Sequence, residues 1–161
     1  GVKPVGRCTA CWRGYYCSYS VDEQRLLLVA LRLNSDQPAP TLFGVHPKPQ
    51  MRSFRGHEFR VWDAVYEPLR HAVPYTGGLL LARDFIQESY VHMGFHPAWK
   101  YREVHELVFR DGELEHAMDR SDQIAELRRE CANRPLEPGN RAAAAEIERW
   151  VEMCFNQGYE W

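Results

Sequence analysis

Two imidazoles are the most reactive pair that this sequence offers. His92 and His96 lie in the segment Tyr90-Val91-His92-Met93-Gly94-Phe95-His96-Pro97, with Trp99 just beyond. Imidazole changes charge nearest to neutral pH, so such a pair can bind, move a proton or hold a metal. Gly94 tolerates positive φ, and Pro97 holds His96 extended, so the segment reads as a stiff turn presenting its side chains. Connecting turns carry function more often than core positions do. The competing reading is that both imidazoles brace the turn against backbone groups.

Carboxylates for acid–base work exist at Asp63, Glu67, Asp84 and Glu88, but nothing in the sequence gathers them into one place. His105 stands between Glu103 and Glu106. On a strand, 103 and 105 share a face and 106 points away, which is the pattern of a charged, exposed sheet face.

Cys8-Thr9-Ala10-Cys11 is a CxxC, half of a structural zinc site or a redox pair. His92 and His96 have a spacing that could complete a Cys2His2 set, yet Gly94 argues against a helix presenting both. The reading adopted is two thiols without metal, with Cys8, Cys11, His92 and His96 as the alternative ligand set. Cys17, Cys131 and Cys154 fall on apolar faces and read as core. A nucleophile elbow, a Walker loop, a Rossmann glycine fingerprint and HExxH are all absent from the sequence, so no cofactor is expected and no catalytic residue is assigned.

Composition sets the bounds. At 161 residues, 45% hydrophobic and 26% charged, the chain is long enough for one well-buried domain and too apolar to be disordered. We therefore expect a single domain over 1–161, β-rich from 8 to 119 with a helical tail over 120–158. The net charge of −2, with Arg spread along the chain, gives no reason to expect nucleic acid as a partner. No apolar run reaches the roughly 18 residues that a spanning helix needs, and the opening residues do not look like a signal peptide, so no membrane is expected. Five cysteines, an odd number, suggest a reducing compartment and a cytoplasmic location.

Period-two patterns organise the first three quarters of the chain. Arg13–Val21 and Arg25–Leu33 read as an antiparallel strand pair. In the second strand Leu27, Val29, Leu31 and Leu33 share one face, with Leu26, Leu28 and Ala30 on the other. The early aromatics Trp12, Tyr15, Tyr16 and Tyr19, with Arg13 among them, fit either a sheet core or a binding hot spot, and core is the preferred reading. Thr41–Val45 reads as a short strand, 47–56 as an irregular, mobile segment, 58–66 as a strand and 67–74 as a connector. Gly78–Arg83 reads as a strand too apolar for the surface, and Asp84–Tyr90 as one helical turn. Asp111-Gly112 predicts a tight hairpin between Tyr101–Phe109 and Glu113–Met118.

The period then becomes helical. Ser121 is a candidate N-cap for Asp122–Cys131, with Ile124, Leu127 and Cys131 on one face. Asn140 is a candidate cap for a second helix to about Gln157, whose stripe of Ile147, Trp150, Val151, Cys154 and Phe155 should lie on the sheet. The fold expected is α+β, with a mostly antiparallel twisted sheet of about six or seven strands and two C-terminal helices packed on it.

The order Trp12-Arg13-Gly14-Tyr15, a strand pair, Gly77-Gly78-Leu79, Tyr90-Val91-His92-Met93-Gly94-Phe95 and a final hairpin resembles a family of small bacterial proteins carrying W-R-G-Y and Y-V-H-M-G-[FY]. The likeness runs from Trp12 to Leu114 and leaves out the helical tail; Phe95 replaces the commoner Tyr. It implies no catalytic residue. It implies a lone cytoplasmic protein or an immunity partner of a secreted toxin.

The expected function is therefore a cytoplasmic domain that binds one protein partner, such as a toxin, using His92, His96, Tyr90, Trp99 and Arg13. The alternative is an enzyme acting on a small molecule or nucleotide at His92, His96 and nearby carboxylates.

Overall fold

A computed structural model describes residues 2–90, 96–132 and 143–155. Among these residues eight strands are formed: β1 Tyr15–Asp22, β2 Arg25–Leu33, β3 Lys48–Phe54, β4 His57–Tyr66, β5 His71–Ala72, β6 Gly77–Phe85, β7 Tyr101–Arg110 and β8 Glu113–Asp119. Two α-helices follow, α1 Ser121–Ala132 and α2 Ala144–Phe155, and short 3-10 turns occur at Thr9–Cys11, Gln87–Ser89 and Ala98–Lys100. The strands run in the order β3-β4-β2-β8-β7-β6, with β1 and β5 also bonded to β2. The class is α+β with an antiparallel sheet, as expected, but with eight strands instead of six or seven. Two compact units form, Gly1–Thr76 with Phe109–Leu114, and Gly77–Val108 with Glu115–Trp161.

In the first unit everything attaches to β2. One edge of β2 pairs with β1 from Tyr15↔Leu33 to Asp22↔Arg25. The other edge is shared: Arg25 meets Glu113 of β8, Leu27 and Leu28 meet β5, and Leu31 to Leu33 meet Tyr66 to Ala64 of β4. Between Ser18↔Ala30 and Tyr19↔Leu28 the register slips, which leaves Val29 as an extra residue opposite β1. Its carbonyl is not wasted, because Leu69 N–H donates to it at 2.8 Å.

The bulge corrects the expected alternation. One extra residue reverses side-chain parity, so Leu26 and Leu28 join Leu31 and Leu33 on one face. That face carries the core of Leu28, Leu33, Ala64, Tyr66 and Leu69, with Cys17 and Leu31 packed against it. Tyr66 is fully buried, and its hydroxyl donates to the Pro40 carbonyl at 2.7 Å. Cys17 thus touches the core, as expected, but is only half-buried.

Tight turns set the hairpins. Asp111 (φ 49°) and Gly112 (φ 81°) take the paired left-handed conformation that matches strand twist, as Asp-Gly predicts. Arg55 (φ 52°) and Gly56 (φ 80°) do the same between β3 and β4. The segment 47–56, expected to be irregular, is therefore mostly strand. Its low hydrophobicity concealed it, because this hairpin has no buried face: nearly every side chain from Lys48 to Arg60 is exposed. Thr41–Val45 forms only an isolated bridge, Leu42 to Val45, closed by Phe43 and Gly44 at positive φ.

In the second unit, Val104, Leu107 and Ile124 are the buried apolar residues among those described. The start of α1 is tied to β7: Arg120 N–H donates to the Val104 carbonyl at 2.8 Å, and Val104 N–H donates to Ser121 Oγ at 3.1 Å. Ser121 is thus the first residue of the helix and spends its hydroxyl on β7 instead of capping, while Asp119 Oδ1 accepts from Ser121 N–H at 2.9 Å. Of the expected stripe on α1, Ile124 is buried but Leu127 is exposed. Arg128, one turn after Ile124, takes the inward position and donates to the carbonyls of Trp99 and Tyr101. The guanidinium thus ties the helix to the end of the 3-10 turn and the start of β7 by satisfying two backbone carbonyls.

Two further expectations change here. β6 was read as too apolar for the surface, yet Leu81 is exposed. The strand also extends through Asp84 to Phe85, so the helical turn expected from Asp84 is only Gln87–Ser89. In α2 the side chains of Ala143 to Glu148, with Val151 and Glu152, are exposed, so Ile147 and Val151 do not lie on the sheet as expected. Asn140, Gly158 and the side chains of Trp150, Cys131 and Cys154 lie outside the described residues. Glu146 Oε2 reaches back to accept from Ala143 N–H at 2.9 Å, a carboxylate satisfying one unpaired donor of the helix start.

Leu33 and Leu81 give a direct contrast. Leu33→Ala should cost about 2–5 kcal/mol in urea unfolding, since it empties a closed core site. Leu81→Ala should stay within about 0.5 kcal/mol. Equal losses would show that the core is placed wrongly.

Candidate functional site

His96 is held between two rings. Phe85, at the end of β6, lies 4.8 Å from it between centroids, and Tyr90 lies 5.4 Å away. Phe85 also meets Tyr101 edge-on at 5.3 Å. His96 Nδ1 is buried and has no hydrogen-bond partner among the described residues. Burial, and next the charge of Lys100, hold the His96 pKa below its ordinary 6.5. The imidazole is therefore neutral at pH 7. It turns into the aromatic cluster, where the sequence suggested outward presentation. His92 lies outside the described residues.

Trp99 and Lys100 continue this cluster. Lys100 is fully buried, and its ammonium sits 5.3 Å from the centroid of the Trp99 ring, within cation–π range. The Trp99 carbonyl takes the Arg128 guanidinium. Tyr90 remains half in solvent. Of the expected binding residues, His96, Tyr90 and Trp99 thus fall in one small region of the second unit, and Arg13 belongs to the first.

Three of the four expected carboxylates are held by arginines, Asp63 by backbone as well. Asp63 accepts from Arg7 at 2.8 Å, from Arg60 at 3.5 Å and from Ser35 N–H at 3.1 Å. Glu67 pairs with Arg32 at 2.8 Å, and Asp84 with Arg102 at 3.3 Å. Glu88 sits in the Gln87–Ser89 turn. A carboxylate held by a guanidinium is a poor general base, because the cation stabilises its charged form.

The cluster at 103–106 divides as its strand positions require. Glu103 meets Arg83 at 2.7 Å and His105 Nε2 at 3.2 Å on the exposed side. Hydrogen bonds from Arg83 and then from His105 hold the Glu103 carboxyl below its usual range. Glu106 points the other way, is buried, and accepts from Arg120 Nε at 2.9 Å and Nη2 at 2.7 Å. The alternating faces of β7 thus separate Glu106 from Glu103 and His105, leaving two ion pairs instead of an acid–base triad.

Cys8 and Cys11 open the short Thr9–Cys11 turn. Cys8 is exposed, and the Cys11 thiol donates to the Tyr15 carbonyl at 3.4 Å. Among the described residues no group of three or more His, Cys, Asp or Glu side chains is gathered as a metal would require. The alternative set with His92 and His96 includes a residue outside the described ones.

The early aromatics are the largest departure. Trp12 is 75% exposed, Tyr16 58%, Tyr19 55% and Tyr15 41%. Arg13 stacks over Trp12, with its guanidinium carbon 5.6 Å from the ring centroid. Tyr15 and Tyr19 project from one face of β1 and Tyr16 from the other, which follows from strict alternation. That alternation was the missed signal: a strand with aromatics on both faces cannot bury both unless it lies in the middle of a sheet, and among the described strands β1 is bonded only to β2.

Comparison with protein-family models, with curated proteins and with solved structures finds no match to this chain. Among the described residues no helix is long and apolar enough to cross a membrane.

Two measurements test these placements. The His96 imidazole, followed by NMR, should titrate below pH 6.5. Because the folded state then resists protonation, its contribution to stability is full above 6.5 and is lost as pH falls through the depressed value. A midpoint at or above 6.5 would contradict the burial described. Glu106→Ala should cost about 1–3 kcal/mol by removing two charge-assisted hydrogen bonds to Arg120, while Glu103→Ala at the surface should leave stability nearly unchanged.

Proposed function

We propose that this chain is a non-enzymatic, cytoplasmic binding domain that docks one protein partner along β1, in the manner of an immunity protein neutralising a bacterial toxin. The observation that carries the reading is the exposed set Trp12, Arg13, Tyr15, Tyr16 and Tyr19. Trp, Tyr and Arg are the residues that most often dominate protein–protein interfaces, because each buries a large area while keeping a polar group for a hydrogen bond. They border a strand bonded to β2 alone among the described strands. Backbone groups on such an edge are open to an extended segment of a partner, which would pair as one more strand and be gripped by the rings on either face. The toxin-directed form of the role comes from the resemblance over Trp12 to Leu114.

A second reading, an enzyme acting on a small molecule or nucleotide, is favoured by one observation. His96 is neutral, and its Nδ1 is buried without a partner among the described residues. Buried, shifted imidazoles recur at catalytic sites. It ranks second because Asp63, Glu67 and Asp84 are each held by an arginine.

The two readings separate on variants of the purified protein. The partner recovered from the native host, once identified, should bind Trp12→Ala and Tyr16→Ala at least about thirtyfold more weakly, the size expected of hot-spot residues. The melting temperature should not move, since both side chains are exposed. Unchanged affinity in both variants would sink the β1 reading. Loss on His96→Ala alone would favour the second.

A further inference from the structure

The hairpin of β3 and β4 extends past the core as a two-stranded ribbon. Beyond Gln50↔Trp62 its pairs are Met51↔Arg60, Arg52↔Phe59, Ser53↔Glu58 and Phe54↔His57, closed by Arg55-Gly56. Alternation sorts these pairs onto two faces. Met51, Arg60, Ser53 and Glu58 share one. Arg52, Phe59, Phe54 and His57 share the other, and Arg55 lies over Phe54 with its guanidinium carbon 5.3 Å from the ring centroid. Both phenyl rings stand in water, Phe54 65% and Phe59 47% exposed.

The second face therefore holds two open rings, two guanidinium groups and an imidazole, with no carboxylate. Glu58, the one acid among residues 51–60, is turned to the opposite side. Neither Arg52 nor Arg55 forms an ion pair among the described residues, while Arg60 on the other face reaches Asp63. Exposed aromatic surface is costly to keep without a use. Arg52 and Arg55 lie close in the sequence, strand pairing sets Phe59 and His57 beside them, and the chain's overall charge of −2 hides the local excess of positive charge.

We propose that this face of the ribbon binds single-stranded nucleic acid, with bases stacked on Phe54 and Phe59 and phosphates held by Arg52 and Arg55. Stacking needs flat rings open on one side, and phosphates need cations not already neutralised; the face supplies both, interleaved. Unpaired bases can reach such rings, whereas bases in a duplex are stacked on each other. An anionic membrane fits less well. A tip entering a bilayer would lead with apolar groups, and this tip leads with Arg55 and Gly56. The proposal concerns a different surface from β1 and does not depend on the protein-docking reading.

The test uses the full chain and fluorescently labelled 20-mers of single-stranded RNA, single-stranded DNA and the corresponding duplex DNA, read by anisotropy. Binding to a single strand should exceed binding to the duplex, and the RNA and DNA arms show which sugar is preferred. With two phosphate contacts, affinity should fall about sevenfold between about 50 and 200 mM salt. Phe54→Ala/Phe59→Ala should weaken binding at least about tenfold, and Arg52→Ala/Arg55→Ala should weaken it and flatten the salt dependence. Ser53→Ala, on the opposite face, should change nothing. Circular dichroism and melting should be unaltered in all three, as the side chains are exposed. No binding at the lower salt, binding unchanged by the Phe pair, preference for duplex, or binding only to phosphatidylserine vesicles would each overturn the proposal.

Discussion

The first unit depends on the double ladder of β2. A strand bonded along both edges has no free backbone groups to present, so each element that pairs with it is fixed in register by hydrogen bonds as well as by packing. One edge of β2 is uniform, and the other is divided among three partners. The division works only because Val29 is extra opposite β1 and gives its carbonyl to Leu69, where β5 stops and β4 begins. Without the bulge, Leu26 and Leu28 would face away from Leu31 and Leu33, and no single face of the strand could form the core.

Charge is handled by pairing instead of by gathering. Arg7, Arg32, Arg83, Arg102 and Arg120 each hold a carboxylate. Most of these pairs are exposed and contribute little to stability; their effect is on chemistry, because they occupy the groups that could act as bases. The buried Glu106–Arg120 pair differs, since separating its partners would strand a charge away from water. His96, by contrast, packs against the rings of Phe85 and Tyr90.

What the sequence revealed follows from how local each signal is. Asp111-Gly112 carried its own conformation and gave its hairpin correctly. The β1–β2 pair and the strand at 58–66 were visible as period two. Whatever needed a long-range partner was hidden. The slip at Val29 depends on β1, β5 and β4 together, and no pattern within 25–33 announces it. The β3–β4 ribbon has no buried face, so the alternation that marks a strand was missing, and Arg55-Gly56 is a less distinctive turn than Asp-Gly. Of the turn at His92 to His96, only His96 falls among the described residues. The direction of His96 depended on Phe85, from a strand whose end was read as helix.

The two exposed aromatic surfaces of the first unit attach to opposite edges of β2: β1 on one, and β4 with its ribbon on the other. No side chain belongs to both, and the strand between them is held by a complete ladder and a closed core. On the readings proposed, the energies of the two contacts should add, as they do for distant and independent sites. On those readings a partner strand on β1 would leave the ribbon free to hold a nucleic acid.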